Sequence, residues 1–255
     1  MALKHTFFGA AVGFILSGPI GGVLGAVLGS LIPDSSKKNE EISKESETPK
    51  KNTSEFTYSL LILFAVVIKA DSSTRRSEIL FVKNYLISKF GSENAQEMMQ
   101  ILKALLEKDI EIEKVCRQIY QNTDYYFRVE LVHLLFKLAT ADAELTSAEF
   151  NEIKRISIYL QISHLDFRRL SAMFTFFGGS GSHKSDTQNK LDNAYSVLGV
   201  DKNISLEDLK KVYRKLSKEY HPDRVTHLGE EYQKIAEEKF IKIKDAYETV
   251  KKSLE

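Results

Sequence analysis

The segment "LKKVYRKLSKEYHPDR", residues 209–224, decides how the C-terminal part of this chain folds. Its apolar side chains recur every three or four residues, which predicts an amphipathic helix with a basic opposite face. Pro222 has no amide hydrogen and disfavours helical backbone at His221, so the helix must end there. A second apolar-periodic segment follows. We therefore predict an antiparallel helical hairpin that exposes the corner formed by His221, Pro222 and Asp223.

The sequences on both sides of this corner share the pattern of a known family. "AYSVLGV" (194–200) precedes the basic helix and predicts a short helix closed by Gly199. "KFIKIKDAYE" (239–248) lies in the second helix of the hairpin. In this order and at these separations, the segments resemble a J-domain, which we place at residues 190–255.

The J-domain resemblance implies a binding partner and an activity. The partner is a DnaK-type ATPase chaperone, and the activity is stimulation of its ATP hydrolysis. The residues that match the family's contact positions, or flank them on the same surface, are His221, Pro222, Asp223, Tyr213, Lys210, Arg214, Lys215, Lys218 and Arg224. Elementary electrostatics agrees, because a basic helix attracts an acidic partner surface and the corner presents a carboxylate and an imidazole to it.

The middle of the chain, residues 55–175, is dominated by amphipathic patterns. They predict helices at 55–69, 75–90, 93–106, 110–121, 124–140, 147–160 and 164–174. Two stretches echo each other, since Asp71 aligns with Asp142 and Glu78 with Glu149, an offset of 71 residues. Each copy predicts a helix, an acidic turn and a helix, and two such hairpins can pack as a bundle. The pairs Thr146/Glu149 and Ser163/Asp166 have the spacing of a capping box.

This middle region resembles the TerB-like domain, on the basis of its Ala-Asp turns, the Glu seven residues later and the tail "LQISHLDFRRLSAMF" (160–174). The family's turn more often reads Asp-Gly, but neither Asp71 nor Asp142 is followed by glycine. Carboxylates on a tight turn would suit Mg²⁺ or Ca²⁺. Aspartate also closes turns without any metal, which is the interpretation we adopt. We likewise expect His133 to be a hydrogen-bonded, partly buried side chain rather than a metal ligand.

Residues 7–32 contain no charged side chain. About 20 apolar residues suffice to span a bilayer as a helix, so this segment predicts a transmembrane helix. Its glycines Gly18, Gly22, Gly25 and Gly29 lie on one helix face. Such a face permits close helix–helix approach and hence a homodimer, although glycine is also simply common in membrane helices.

The flanking lysines predict the orientation of this helix. One lysine, Lys4, precedes the segment, whereas several follow it closely, namely Lys37, Lys38, Lys44, Lys50 and Lys51. The positive-inside rule then places the C-terminal domains in the cytoplasm, with a single pass through the inner membrane. Residues 33–54 form a polar linker and residues 176–189 a flexible Gly/Ser linker. This order of segments resembles the membrane-anchored DnaJ-like co-chaperones.

Composition excludes several other classes. Lys+Arg number 36 and Asp+Glu 35, so the chain has no excess charge that would favour nucleic acid. No Gly-rich phosphate loop, nucleophile–base pattern or ligand cluster is visible, so we expect no intrinsic enzymatic activity, no cofactor and no metal. The single cysteine, Cys116, lies in an apolar stripe and is expected to be buried. Two functions remain, a membrane-anchored J-domain co-chaperone or a membrane-surface sensor or scaffold whose TerB-like domain binds an ion or envelope partner.

Overall fold

The computed structural model describes residues 18–31, 51–71, 75–141, 145–175, 186–223 and 230–255. Within these ranges every regular element is a helix, so the predicted all-α class is confirmed there. The helices are α1 Pro19–Leu31, α2 Lys51–Ile68, α3 Arg76–Leu106, α4 Ile112–Asn122, α5 Tyr125–Ala139, α6 Ser147–Tyr159, α7 His164–Thr175, α8 Asp186–Leu198, α9 Leu206–Glu219 and α10 Glu230–Leu254. Arg224 and Asp142 lie outside the described residues, as do residues 7–17, 32–50 and 176–185.

The chain divides into two compact units, Met1–Thr123 and Asp124–Glu255. In the first unit, α2 packs against α3 and α4. Helix α2 is apolar around most of its circumference, which suits a central helix, and Phe64 on it meets the rings of Phe81 and Tyr85 edge-on. Cys116 on α4 is fully buried, as predicted.

Helix α1 packs against α3 and α4 within the same unit. The apolar face formed by Ile20, Leu24 and Val27 is fully buried. The backbone N–H of Ile20 donates to Oε1 of Gln118 at 2.9 Å, which satisfies one of the amide groups that a helix start leaves open. Among the described residues, no helix has the length and apolar composition that crossing a membrane requires.

Helix α3 runs through the point where the sequence predicts a break between two helices. Gly91 interrupts its helical backbone with φ 77° and ψ 168°. Only glycine adopts this conformation readily, because it has no Cβ to collide with the neighbouring backbone. The result is a kinked helix with two straight halves, close to the predicted 75–90 and 93–106.

The second unit contains α5–α7 followed by α8–α10. Helix α5 lies against α6 and α7, and its Phe136 stacks on Phe174 with the ring centres 5.5 Å apart. Helix α8 packs against both α7 and α10, and α9 pairs with α10 as the predicted hairpin. A single apolar cluster therefore joins Met173 of α7 to Leu198, Leu216 and Ile243 of the three C-terminal helices.

Two boundaries differ from the sequence prediction. Helix α2 begins at Lys51 and α8 at Asp186, four residues before the predicted starts of their domains. The polar residues that open these helices carry no apolar periodicity, so the sequence pattern assigns them to the linkers. Backbone hydrogen bonding nevertheless continues each helix into these residues.

Candidate partner-binding site

One surface of α9 carries four basic residues, which we call the outer face. It consists of Lys210, Arg214, Lys215 and Lys218, all exposed, and none forms an ion pair with a described residue. The neighbouring Lys211 differs, since it pairs with Glu207 at 3.0 Å. The opposite side of the helix is anchored by Leu209 and Leu216, both fully buried. The outer face therefore presents uncompensated positive charge to solvent.

The His221-Pro222-Asp223 corner follows directly on α9, and its two ionisable side chains are exposed by 50% and 83%. The backbone N–H of Asp223 donates to Nδ1 of His221 at 3.3 Å, and Oδ2 of Asp223 lies 3.4 Å from the same nitrogen. The imidazole ring meets Phe240 of α10 edge-on. Since Nδ1 is turned towards Asp223, Nε2 is the ring nitrogen that remains for an external partner.

Tyr213 ties the two helices of the hairpin together. Its ring stacks on Tyr247 of α10, with the ring centres 4.2 Å apart and the planes 17° from parallel. Beside it, an open depression of about 660 Å³ is lined by Tyr213, Arg214, Ser217, Lys218 and His221. The depression thus brings together four of the predicted contact residues, Tyr213, Arg214, Lys218 and His221, and Arg224 lies outside the described residues.

A second surface of the same hairpin faces α5 and α7, and we call it the docked face. It consists of Tyr220, Glu238, Lys239 and Lys242. Lys239 is fully buried, and its Nζ donates to Oε1 of Glu130 on α5. Burial raises the pKa of Glu130 and lowers that of Lys239, and each shift is opposed by the charge of the partner.

Two further contacts extend the docked face along α10. Nζ of Lys137 on α5 donates to both carboxylate oxygens of Glu238, at 2.8 and 3.0 Å. Nζ of Lys242 donates to the carbonyl oxygen of Met173 at 2.8 Å and lies 4.2 Å from the ring centre of Phe174. A cation over an aromatic face gains electrostatic stabilisation, so the ammonium group of Lys242 interacts favourably with both the carbonyl oxygen and the ring.

Asp166, near the start of α7, receives Tyr220 of the docked face. Its carboxylate accepts hydrogen bonds from the hydroxyls of Ser163, Tyr125 and Tyr220 and from Nη1 of Arg169. Burial alone would raise the pKa of Asp166, but these donors outweigh it, and the pKa lies below its usual range. Burial also raises the pKa of Tyr220, so its hydroxyl remains protonated and donates. The sequence assigned Asp166 only to a capping box.

The end of α8 fits closely against α7. Gly199 has φ 66°, and the N–H of Val200 donates to the carbonyl of Tyr195 at 3.0 Å, which confirms the predicted glycine C-cap. A Cβ at this position would lie 2.7 Å from Cδ1 of Leu165 and 3.0 Å from Nε of Arg169. The positive φ therefore favours glycine here, and a Cβ would also require the Leu165 and Arg169 side chains to move.

The structure corrects the expectation for His133 on α5. The side chain is fully buried, and neither ring nitrogen has a hydrogen-bond partner among the described residues. Its Nε2 lies 3.9 Å from Oε2 of Glu238, beyond hydrogen-bond distance, and its ring meets Phe174 edge-on. Burial and the charge of Lys239 hold the pKa of His133 well below its usual value, so the imidazole is neutral.

Of the two acidic turns, the structure describes Asp71, whereas Asp142 lies outside the described residues. Asp71 lies 3.6 Å from Nε of Arg75. No group of three or more His, Cys, Asp or Glu side chains in the described ranges could hold an ion. The aligned glutamates both cap the start of a helix. Glu78 accepts from the backbone N–H of Arg75 and Glu149 from that of Thr146, both at 2.8 Å.

Comparison with known proteins matches two family models to the chain. "Tellurite resistance protein TerB" matches residues 57–172 and "DnaJ domain" matches residues 193–254. The chain is similar to Co-chaperone protein DjlA of Coxiella burnetii, with 23% identity over 96% of this chain and 95% of that protein. It is also similar to Co-chaperone protein DjlA of Haemophilus influenzae, with 26% identity over 97% and 98% of the two chains.

A third similarity covers only the C-terminal part. Chaperone protein DnaJ of Fusobacterium nucleatum subsp. polymorphum is 50% identical over 56 residues, which is 22% of this chain and 14% of that protein. No solved structure matches the chain.

Proposed function

Because this chain belongs to the DjlA-type co-chaperones, with a TerB domain followed by a DnaJ domain, we propose that it stimulates ATP hydrolysis by a DnaK-type chaperone. The corner formed by His221, Pro222 and Asp223 acts together with the outer face. The observation that carries the proposal is the exposed corner, which directly follows a helix whose outward cations have no ion-pair partner in the described structure.

The two parts of this surface have different roles. The outer face attracts an acidic surface of the chaperone and raises the rate of encounter, so its contribution weakens with salt. The corner makes the contact that follows encounter. There the Asp223 carboxylate meets a cationic group of the chaperone and Nε2 of His221 provides a second polar contact. Tyr213 and the adjoining depression supply apolar area for the same interface.

The test is single-turnover ATP hydrolysis by a purified DnaK-type chaperone with the full chain added. We expect the wild-type chain to accelerate hydrolysis and Asp223→Asn to remove nearly all of the acceleration. Asp201→Asn is the matched control, because it makes the same change at an exposed residue of the same domain away from the corner. Equal stimulation by the Asp223→Asn chain and the control chain would refute the role of the corner.

We also propose that residues 7–32 anchor the chain as a single inner-membrane span with the C-terminal domains in the cytoplasm. In that state Pro19–Leu31 leaves the position against α3 and α4 that it has in the described structure. The support is the uncharged length and the lysines that follow it. The full chain should stay in the membrane fraction after carbonate extraction, and protease added to intact spheroplasts should spare residues 33–255. Release of the full chain by carbonate argues against the anchor, and digestion of the C-terminal domains argues against the orientation.

A homodimer through the glycine face of this segment is a further part of the proposal. In α1, Gly22 and Gly25 are exposed, and a Cβ at either would meet nothing within 4 Å. A leucine there is therefore compatible with the packing of α1, but it would keep a second helix from approaching closely. Gly22→Leu and Gly25→Leu should lower dimer content in a membrane association assay. If both variants associate as well as wild type, the glycines do not form a helix–helix contact and are only a feature of composition.

A further inference from the structure

We propose that Asp166 is a positioning residue for the corner: through Tyr220, the TerB segment holds the chain entering His221 in the conformation that the chaperone partner meets. The inference rests on the proposed function, because it names a residue outside the DnaJ domain that acts on the same site. It concerns the second unit alone, in which α7, α9 and α10 lie together.

The contact is placed directly beside the corner. Tyr220 is the last residue before His221, and its backbone N–H donates to the carbonyl of Leu216 at 2.8 Å, which closes α9. Its hydroxyl donates to Oδ1 of Asp166 at 2.9 Å. Both the backbone and the side chain of Tyr220 are therefore fixed, and the direction in which the chain leaves α9 towards His221 is fixed with them.

The acceptor is itself held in place. Nη1 of Arg169 donates to Asp166 at 3.1 Å, and the Ser163 hydroxyl donates to the other carboxylate oxygen at 2.6 Å. The Tyr125 hydroxyl donates to Asp166 and also accepts from the backbone N–H of Ser163. A carboxylate with this many fixed donors needs no reorientation to receive Tyr220, which is the property expected of a supporting residue around a functional site.

The helices that surround α7 and α9 are held together at separate points. Lys239 pairs with Glu130 in a fully buried environment, and Gly199 allows α8 to contact Leu165 closely. Breaking one member of a buried ion pair leaves the other uncompensated, so this docking has a strong preference for one arrangement. The Tyr220–Asp166 hydrogen bond thus forms within an arrangement that is already specified.

The docking leaves the binding surface open. Lys210, Arg214, Lys215 and Lys218 remain exposed in the docked structure, as do His221 and Asp223. The contacts of the docked face are made instead by Tyr220, Glu238, Lys239 and Lys242. The TerB segment therefore contacts the hairpin at the docked face, and the outer face and the corner remain available to the chaperone.

The test is a titration of chaperone single-turnover hydrolysis with the full chain in detergent. Tyr220→Phe removes only the bridging hydroxyl. If the corner then spends part of its time in other conformations, the apparent affinity falls by the fraction that remains competent. We expect the concentration for half-maximal stimulation to rise about threefold to tenfold, with the maximal rate unchanged. Asp166→Ala removes the acceptor and should act in the same direction, and Tyr220→Phe should add nothing in that background.

Tyr195→Phe is the matched control, because this tyrosine of α8 has no hydrogen bond from its hydroxyl among the described residues and lies in the apolar cluster of the hairpin. This variant should keep the wild-type midpoint and maximal rate in the titration. The proposal is overturned if Tyr220→Phe keeps the wild-type midpoint, or if it shifts the midpoint equally with aspartate and with alanine at position 166.

Hydrogen exchange separates this inference from the proposed function. Without any chaperone, the amide at position 220 should exchange at least threefold faster in Tyr220→Phe and Asp166→Ala than in wild type, with the amides of α8 unchanged. If the wild-type chain stimulates no chaperone, the proposed function fails, and this exchange rate still decides whether Asp166 holds the entry to the corner. Wild-type exchange in both variants would overturn the inference.

Discussion

The outer face and the docked face of the C-terminal hairpin use the same residue types in opposite environments. Lys210, Arg214 and Lys215 are exposed and have no ion-pair partner in the described structure. Lys239 is fully buried against Glu130, and Lys242 is held by a carbonyl oxygen and an aromatic ring. The hairpin therefore has one surface whose charges remain solvated and another whose charges are matched within the chain.

This difference separates the roles of the two surfaces. An exposed cation stays hydrated, acts over about a Debye length and is screened by salt. A buried cation has lost its hydration, so it is tolerated only where a fixed partner compensates it. Changes on the outer face should therefore alter association with the chaperone, whereas changes on the docked face should alter stability and the positioning of the corner.

The largest stability effect is expected at the buried pair. Lys239→Met leaves the Glu130 carboxylate buried without its cation, which should lower the free energy of unfolding of the second unit by about 3–5 kcal/mol. Urea denaturation followed by circular dichroism measures it. The double variant Lys239→Met/Glu130→Gln removes both charges and should recover most of the loss. Lys215→Met on the outer face should stay within about 0.5 kcal/mol of wild type. A similar loss of unfolding free energy in Lys239→Met and Lys215→Met would show that the two faces do not differ in their contribution to stability.

The close contact at Gly199 should give the next effect. Gly199→Ala introduces a Cβ at a positive φ and into contact with Leu165. Together these should cost about 1–3 kcal/mol, measured by the same denaturation experiment. Leu165→Ala removes the colliding methyl group, so the alanine at 199 should cost less in that background. If the cost is unchanged there, it comes from the backbone conformation at residue 199 and not from the contact with Leu165.

The buried histidine predicts a pH dependence. His133 is neutral when folded because its pKa is held well below 6.5, so the unfolded chain binds more protons as pH falls below that value. The contribution of His133 to the free energy of unfolding is fully present above pH 6.5. It is lost on acidification by about 1.4 kcal/mol per pH unit, until the pKa of the folded state is reached. The charged groups near it are Glu238, Lys239, Lys137 and Lys242. Denaturation at pH 7 and 5.5 should show a larger loss for wild type than for His133→Leu. Equal losses would show that His133 becomes protonated without unfolding.

The smallest effect is expected on the outer face itself. Lys215→Ala should weaken chaperone binding by only a few-fold at low salt, because an exposed charge contributes about 0.2–1 kcal/mol. The difference from wild type should shrink as salt is raised, and it should lie in the association rate. Lys202→Ala, an exposed lysine that pairs with Asp192, is the control. A salt-independent loss at Lys215 would indicate a close contact rather than steering.

Local features of the fold followed from the sequence. The capping box of Thr146 and Glu149 forms as predicted, and Gly199 closes its helix. Each of these depends on residues within one or two turns, so the determining interactions are visible in a short stretch. The helix break at Gly91 was anticipated for the same reason.

The docked face was not foreseen, and the cause is distance along the chain. Asp166 meets Tyr220 across 54 residues, and Lys239 meets Glu130 across 109. Periodicity indicates which side of a helix is apolar but not which helix lies against it. A lysine in an otherwise polar pattern does not indicate a buried partner. Sequence also cannot show that His133 has no hydrogen-bond partner among the residues that the structure describes.

The most direct test of the account compares three chains in one titration of single-turnover ATP hydrolysis by the chaperone. Wild type defines the plateau and the midpoint. Asp223→Asn, on the exposed corner, should lower the plateau to near the unstimulated rate, because an interface charge left unpaired costs about 2–5 kcal/mol. Tyr220→Phe, on the docked face, should keep the plateau and move the midpoint to higher concentration. A wild-type plateau with Asp223→Asn would contradict the central claim that this corner triggers the chaperone.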